Sequence, residues 1–217
     1  MRYSFATLSI VSLAAAHGMI TSPAARQPGP AMAAACGAPA VAAAMSDPTN
    51  PLEDIDVSAA TPQCKLDLCR GATFADNKDR MQTFTAGQVI PMKAVLPIPH
   101  EGPMNVSIID TATNKAVAPP LISFKSYADE NLATLPANNT AFSVTMPALK
   151  AGMCAQAGQC TMQWFWVGTK AMQTYESCVD FVMAPAAAAA APAPAASPSV
   201  IFAAPPAPIV VARGFRA

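Results

Sequence analysis

His17 and His100 are the only two histidines in a chain of 217 residues, and their placement narrows the chemistry. His17 follows Ala14-Ala15-Ala16. Before those small residues come an apolar stretch, Phe5 to Leu13, and a positive start at Arg2. This is the pattern of a secretory signal peptide, and cleavage is expected after Ala16. Cleavage there makes His17 the first residue of the secreted chain. An N-terminal histidine is a chelator, because its α-amine and its ring Nδ1 can close a ring on one metal. A second imidazole adds a third nitrogen in the same plane. Three nitrogens in a T suit copper, whose Cu(II) state prefers tetragonal N,O coordination. The amine must be neutral to bind, and its ordinary pKa of about 7.7–8 makes copper affinity fall in acid. His100, in the loop Leu96-Pro-Ile-Pro-His-Glu-Gly-Pro103, is the expected partner. The plain alternative for a loop histidine is a solvated side chain, and a one-residue shift in cleavage would remove the chelate.

Composition excludes several other functions. There are 13 Lys+Arg against 13 Asp+Glu, and charged residues are only 12% of the chain. Neutralising phosphates needs clustered basic residues, and no such cluster is visible, so nucleic acid is not an expected partner. A site built from three histidine side chains is excluded. No apolar run in the body approaches the roughly 18–20 residues of a membrane span, so no membrane partner is expected either.

The elements that must hold these residues are read from texture. Residues 17–75 are rich in Ala, Pro, Gly and Asp, and predict long loops with one short helix, pinned by disulfides. From Met81 the pattern changes to short β-type runs. Gln88–Leu96 is one, with Pro91 suiting an edge or bulge. Asn105–Asp110 is another, followed by a turn over Thr111–Lys115. Ala141–Met146 alternates with period two. So does Cys160–Val167, which puts Trp164 and Trp166 on one face and Phe165 on the other. Glu176–Met183 closes the series. Short strands separated by Pro/Gly/Asn turns predict an all-β fold, an immunoglobulin-like or fibronectin-III-like β-sandwich with long loops.

Six cysteines, all after residue 16, are an even number in an oxidising compartment, so three disulfides are expected. Sequence proximity favours Cys154–Cys160 and Cys64–Cys69, which leaves Cys36–Cys178. Asn105-Val-Ser107 and Asn138-Asn-Thr140 are candidate N-glycosylation acceptors. From 184 onward the composition shifts: 22 of the last 34 residues are Ala or Pro, which predicts a low-complexity tail. The expected organisation is a signal peptide at 1–16, one domain at 17–183 and the tail at 184–217.

The start of the secreted chain, His17-Gly-Met-Ile-Thr-Ser-Pro-Ala-Ala-Arg26, resembles the opening of lytic polysaccharide monooxygenases, the group also labelled chitin-binding type 4. Gln163-Trp-Phe-Trp166 and Gln173-Thr-Tyr-Glu-Ser-Cys-Val-Asp-Phe181 resemble that family's closing strands. The likeness covers roughly 17–183. Its cast is fungal-like, closest to auxiliary-activity family sixteen, a group associated with cellulose. The resemblance implies that His17 and His100 form a histidine brace on copper. It implies that Tyr175 lies at the axial position and that Gln173 hydrogen-bonds an oxygen species at the metal. It also makes Cys36–Cys178 the fold-closing bridge. The bland alternatives are a core tyrosine and an exposed strand glutamine. Trp164 and Trp166 read as core rather than as an electron relay, and Arg26 as the partner of an acidic residue.

The function so implied is oxidative cleavage of a β-1,4-linked glycan, cellulose or chitin, by a secreted, monomeric copper enzyme. Copper would be reduced by an external electron donor, and dioxygen or hydrogen peroxide activated to abstract hydrogen at C1 or C4. Family members often expose aromatic residues around the copper. Here Tyr127 is the candidate exposed contact, since aromatics are only 6% of the chain. The main rival is a copper-binding protein with the same brace and no turnover, serving copper uptake or the cell wall. Relatives of that kind carry an acidic residue near the copper. A third reading is a binding or structural wall protein.

Overall fold

The computed structural model describes residues 17–185. The expected signal peptide at 1–16 and the tail from residue 186 lie outside the described residues. The described residues form two sheets. The small one orders β1 (His17–Ser22), β3 (Val89–Ile98) and β7 (Ala141–Thr145). The large one orders β2 (Gln82–Phe84), β9 (Gln173–Met183), β8 (Cys160–Gly168), β4 (Gly102–Asp110) and β5 (Lys115–Ala116), with β6 (Ile122–Tyr127) also on β4. Their apolar faces meet in one core. Ile20, Ile90, Met92, Phe142 and Val144 come from the small sheet, and Met104, Val106, Ile108, Met162, Trp164, Trp166 and Phe181 from the large one. This is the expected immunoglobulin-like β-sandwich, held by burial of apolar surface on alternate residues of each strand.

Period-two patterning explains which runs became strands. In β7 the buried residues alternate with exposed ones, and in β3 the buried set is Ile90, Met92 and Ala94. Both tryptophans of β8 face inward as the alternation predicts. Pro91 lies beyond the stretch of β3 that β1 covers, so its missing N–H faces no partner strand. Pro97 lies opposite the register shift between His17 and Met19, where the ladder is already interrupted.

The N-terminal third is more ordered than expected. Besides β1 it holds two helices, α1 (Pro30–Cys36) and α2 (Ala38–Ser46), rather than one. Each begins with a proline in its first turn, where the absent N–H would have no partner anyway. Gly37, at φ 92°, separates them. The free N–H groups of Ala31 and Met32 at the start of α1 both donate to the Asp76 carboxylate, each at 2.9 Å. That cap lies 45 residues away in sequence, beyond any local motif. Nearer the chain start, Arg26 forms a bidentate pair with Asp180, both bonds at 2.7 Å, and so ties β1's exit to β9.

The disulfides correct two of three expected pairings. Cys154–Cys160 is as predicted, but the others are Cys36–Cys64 and Cys69–Cys178. Cys64 packs with the small helical cluster around Met32 and Cys36, whereas Cys69 packs with Leu68 against Cys178 on β9. The two neighbours in sequence belong to different layers, so proximity along the chain misleads. Cys69–Cys178 spans 109 residues and so fastens the long loop to the central strands. A loop of that length is worth about 4–5 kcal/mol in the chain-entropy picture.

Candidate metal centre

His17 begins β1 and pairs with Ile98 at the end of β3, two residues before His100. β1 therefore delivers His17 to the mouth of the loop that carries His100. The next link runs through Gly168, the last residue of β8. A methyl group placed there would lie 3.0 Å from the Cβ of His100, and Gly168 pairs with Gln173 across the β8–β9 turn. Strand ends thus bring His17, His100 and Gln173 to one end of the sandwich. Tyr175, two residues along β9 from Gln173, donates its hydroxyl to the Gln173 Oε1 at 2.9 Å.

Gly18, the residue after His17, has no room for a side chain. A Cβ there would sit 2.9 Å from the Trp166 ring and 3.0 Å from Leu96. The backbone beside His17 thus rests on the buried indole. Trp166 in turn stacks on Tyr175, with centroids 4.3 Å apart and planes 26° apart. Tyr175 is fully buried. Burial first, then the charges of Glu53 and Asp54, push its phenol above the ordinary range, so it stays a neutral donor. The Glu53 carboxylate also accepts the Thr174 N–H at 2.9 Å, which holds the start of β9.

Two carboxylates flank the imidazoles. The Asp47 Oδ2 lies 2.7 Å from the His17 Nε2. Partial burial acts to raise the Asp47 pKa. It is outweighed by the hydrogen bonds from the Thr49 side chain and N–H and by the charges of His17 and Arg70, so the pKa is lowered. Near His100, the Glu130 Oε2 accepts the Glu101 N–H at 2.6 Å, and its Oε1 lies 3.6 Å from the Lys170 ammonium. The Glu101 amide, the Glu130 amide and the charges of Lys170 and His100 together hold Glu130 below the usual carboxylate range. Neither Asp47 nor Glu130 was singled out in the sequence. The turn signal Asp47-Pro-Thr-Asn50 was readable, but its closeness to a histidine thirty positions earlier was not.

The donor chemistry fits copper. Among the described residues no group of three or more His, Cys, Asp or Glu side chains is gathered for a metal. In a chain that starts at His17, the expected donors are two imidazoles plus the α-nitrogen of His17. An Nε2 that donates to Asp47 leaves the lone pair of a neutral imidazole on Nδ1, the ring nitrogen that can chelate together with the α-nitrogen.

The expected exposed aromatic contact is not there. Tyr127 is 0% exposed, and its hydroxyl donates to the Asn139 carbonyl at 2.5 Å. Its alternation on β6 turns it inward against Trp164 and Trp166. What the turn between β8 and β9 offers instead is Met172, 81% exposed and next to Gln173.

A chitin binding domain from Burkholderia pseudomallei is 14% identical, covering 78% of this chain and all of its own, with a TM-score of 0.45. A cellulose-active lytic polysaccharide monooxygenase solved in complex with copper is 14% identical over 47% of this chain, with a TM-score of 0.31. The catalytic domain of a Listeria monocytogenes lytic polysaccharide monooxygenase is 12% identical over 48%, with a TM-score of 0.32. The chain spans 52% and 60% of the last two. No curated protein matches the chain. A family model described as lytic polysaccharide mono-oxygenase, cellulose-degrading, matches residues 17–181. That match begins at His17 and ends at Phe181, within the last strand, β9, so it covers most of the chain, and the chain belongs to the lytic polysaccharide monooxygenase family.

Proposed function

We propose that this is a secreted enzyme that cleaves a β-1,4-linked polysaccharide, cellulose or chitin, by copper-dependent oxidation at a histidine brace. His17, through its α-amine and Nδ1, and His100 would hold the metal. The observation that carries this reading is the convergence of His17, His100 and Gln173 through the pairs His17–Ile98 and Gly168–Gln173. Copper, when bound, would supply the one-electron chemistry that uses an external electron donor and an oxygen co-substrate to oxidise a glycan C–H. Gln173 would place a polar group beside the reacting oxygen, with its Oε1 held by the Tyr175 hydroxyl. Tyr175 would work through Gln173 and through its stack on Trp166.

An insoluble chain cannot enter a deep pocket, and ligands from a chain terminus and a loop keep the chemistry at the surface. With Tyr127 buried, Met172 and the Lys170 side chain on the β8–β9 turn are the contacts proposed for the glycan. The chain's low charge suits an uncharged partner. The finer placement beside auxiliary-activity family sixteen rests on the sequence resemblance alone.

One observation favours the rival, a copper-binding protein without turnover: a carboxylate, Asp47, lies against His17. Its contact is to Nε2, however, whereas the proposed brace uses Nδ1. Copper-loaded protein incubated with ascorbate and cellulose or chitin separates the two. Aldonic acids or C4-oxidised ends support the enzyme. Tight copper binding with no oxidised product on any glycan supports the rival.

A further inference from the structure

Asp47 divides its oxygens cleanly. Oδ1 accepts the Thr49 N–H at 2.8 Å and the Thr49 hydroxyl at 2.6 Å. Oδ2 faces His17 Nε2 at 2.7 Å. The turn that presents Asp47 is itself clamped. The half-buried Arg70 guanidinium donates to the Asn50 Oδ1 at 2.5 Å, to the Pro48 carbonyl, and to the Asp47 carbonyl at 3.5 Å. Arg70 adopts a left-handed backbone, φ 55° and ψ 33°, which aims its N–H at the Glu176 Oε2, 3.0 Å away on β9. The neighbouring Cys69 is bonded to Cys178 on the same strand. The Thr49 carbonyl also accepts the Gly18 N–H at 2.9 Å, so the turn grips both the ring and the backbone of the first strand.

We propose that Asp47, on the Arg70-clamped turn 47–50, is a positioning residue that orients the His17 imidazole for copper. This role rests on the histidine-brace reading of His17. Rotating the ring by half a turn about its Cβ–Cγ bond would exchange Nδ1 for a carbon and carry Nε2 away from Asp47. The carboxylate therefore selects the ring orientation and the tautomer in which Nδ1 carries the lone pair. The rigid path from β9 through Glu176, Arg70 and the turn means that this selection is made before metal arrives, so less ordering remains to be done on binding.

The test uses the secreted chain with its native start, titrated with Cu(II) by calorimetry and then examined by electron paramagnetic resonance. Asp47→Ala is expected to weaken Cu(II) binding on the order of 10–100-fold and to change the copper hyperfine pattern. Asp47→Asn keeps an acceptor for the Nε2 hydrogen and is expected to fall between wild type and Asp47→Ala, with a spectrum close to wild type. A purely structural role would not produce that graded rescue. Unchanged affinity and spectrum in Asp47→Ala, with tight binding by wild type, would overturn the positioning role and leave the brace standing. Failure of the wild-type chain to bind Cu(II) tightly would overturn the brace itself. If Asp47→Ala does not fold, Asp47→Asn decides: a spectrum and affinity equal to those of a His17→Ala chain would overturn the proposal.

Discussion

At the scale of single residues, the site is a problem of orientation. Two imidazoles make a copper site only if the first of them is held with its backbone nitrogen. Gly18 bears on this directly, because the Trp166 ring leaves no room for a methyl group there. Gly18→Ala is expected to displace the first strand from the indole. Copper affinity by calorimetry should fall at least tenfold, with a smaller loss of thermal stability than a core truncation gives. The loop histidine has a simpler expectation. His100→Ala removes the only other imidazole, so calorimetry should find tight copper binding abolished, and retention of tight binding would sink the brace. The residue types carrying this chemistry were legible in the sequence because histidine is so rare in it. Asp47 was not legible. Its partner is reached only through the fold, and an aspartate before proline reads as a turn former and nothing more.

Elements show where sequence texture is informative and where it fails. β8 was read correctly because its two faces meet different surroundings, which imposes alternation on Trp164, Phe165 and Trp166. β1 was missed because it is short, bulged opposite Pro97, and patterned His-Gly-Met-Ile-Thr-Ser without a clean period. The disulfide partners of Cys36 and Cys69 were missed because pairing depends on which layer each cysteine joins. β9 carries a pH-dependent feature of its own. Burial, and then the charge of Asp67, push the Glu176 carboxyl up to about 7 from 4.5, against the hydrogen bond from the Arg70 N–H. With its folded pKa raised, Glu176 holds a proton in the folded chain that the unfolded chain has released. Its contribution is complete below about pH 4.5 and is lost as pH rises through about 7. The melting temperature is expected to fall between about pH 5 and about pH 8, and Glu176→Gln should flatten that decline. The two glycosylation sequons also separate by element. Asn105 sits within β4 between Phe165 of β8 and Ser123 of β6, and its Oδ1 accepts from the Ser107 hydroxyl at 2.9 Å. Asn138 and Thr140 are exposed on a short helix, α3 (Ala137–Thr140), that leads into β7. Peptide mapping of protein from a secretory host should find glycan on Asn138 and none on Asn105.

The molecule as a whole is a sandwich whose strand ends do the positioning. Its sandwich class and the strands β3, β4, β7, β8 and β9 were predictable from alternation and turn residues, but β2, β5 and β6 of the large sheet were not. Its helices and its loop-fastening bridges were not, since Ala-rich segments carry little periodic signal and are ordered by distant caps such as Asp76 on α1. With Tyr127 buried, the β8–β9 turn at the histidine end exposes Met172 and the Lys170 side chain. The activity we propose is oxidation of glycan by copper held by His17 and His100. Mass spectrometry of soluble products from cellulose and chitin, with ascorbate and copper-loaded protein, tests it most directly. Aldonic acids or C4-oxidised oligosaccharides that disappear in His100→Ala are expected. Only native oligosaccharides, or oxidised products that persist undiminished in His100→Ala, would contradict it.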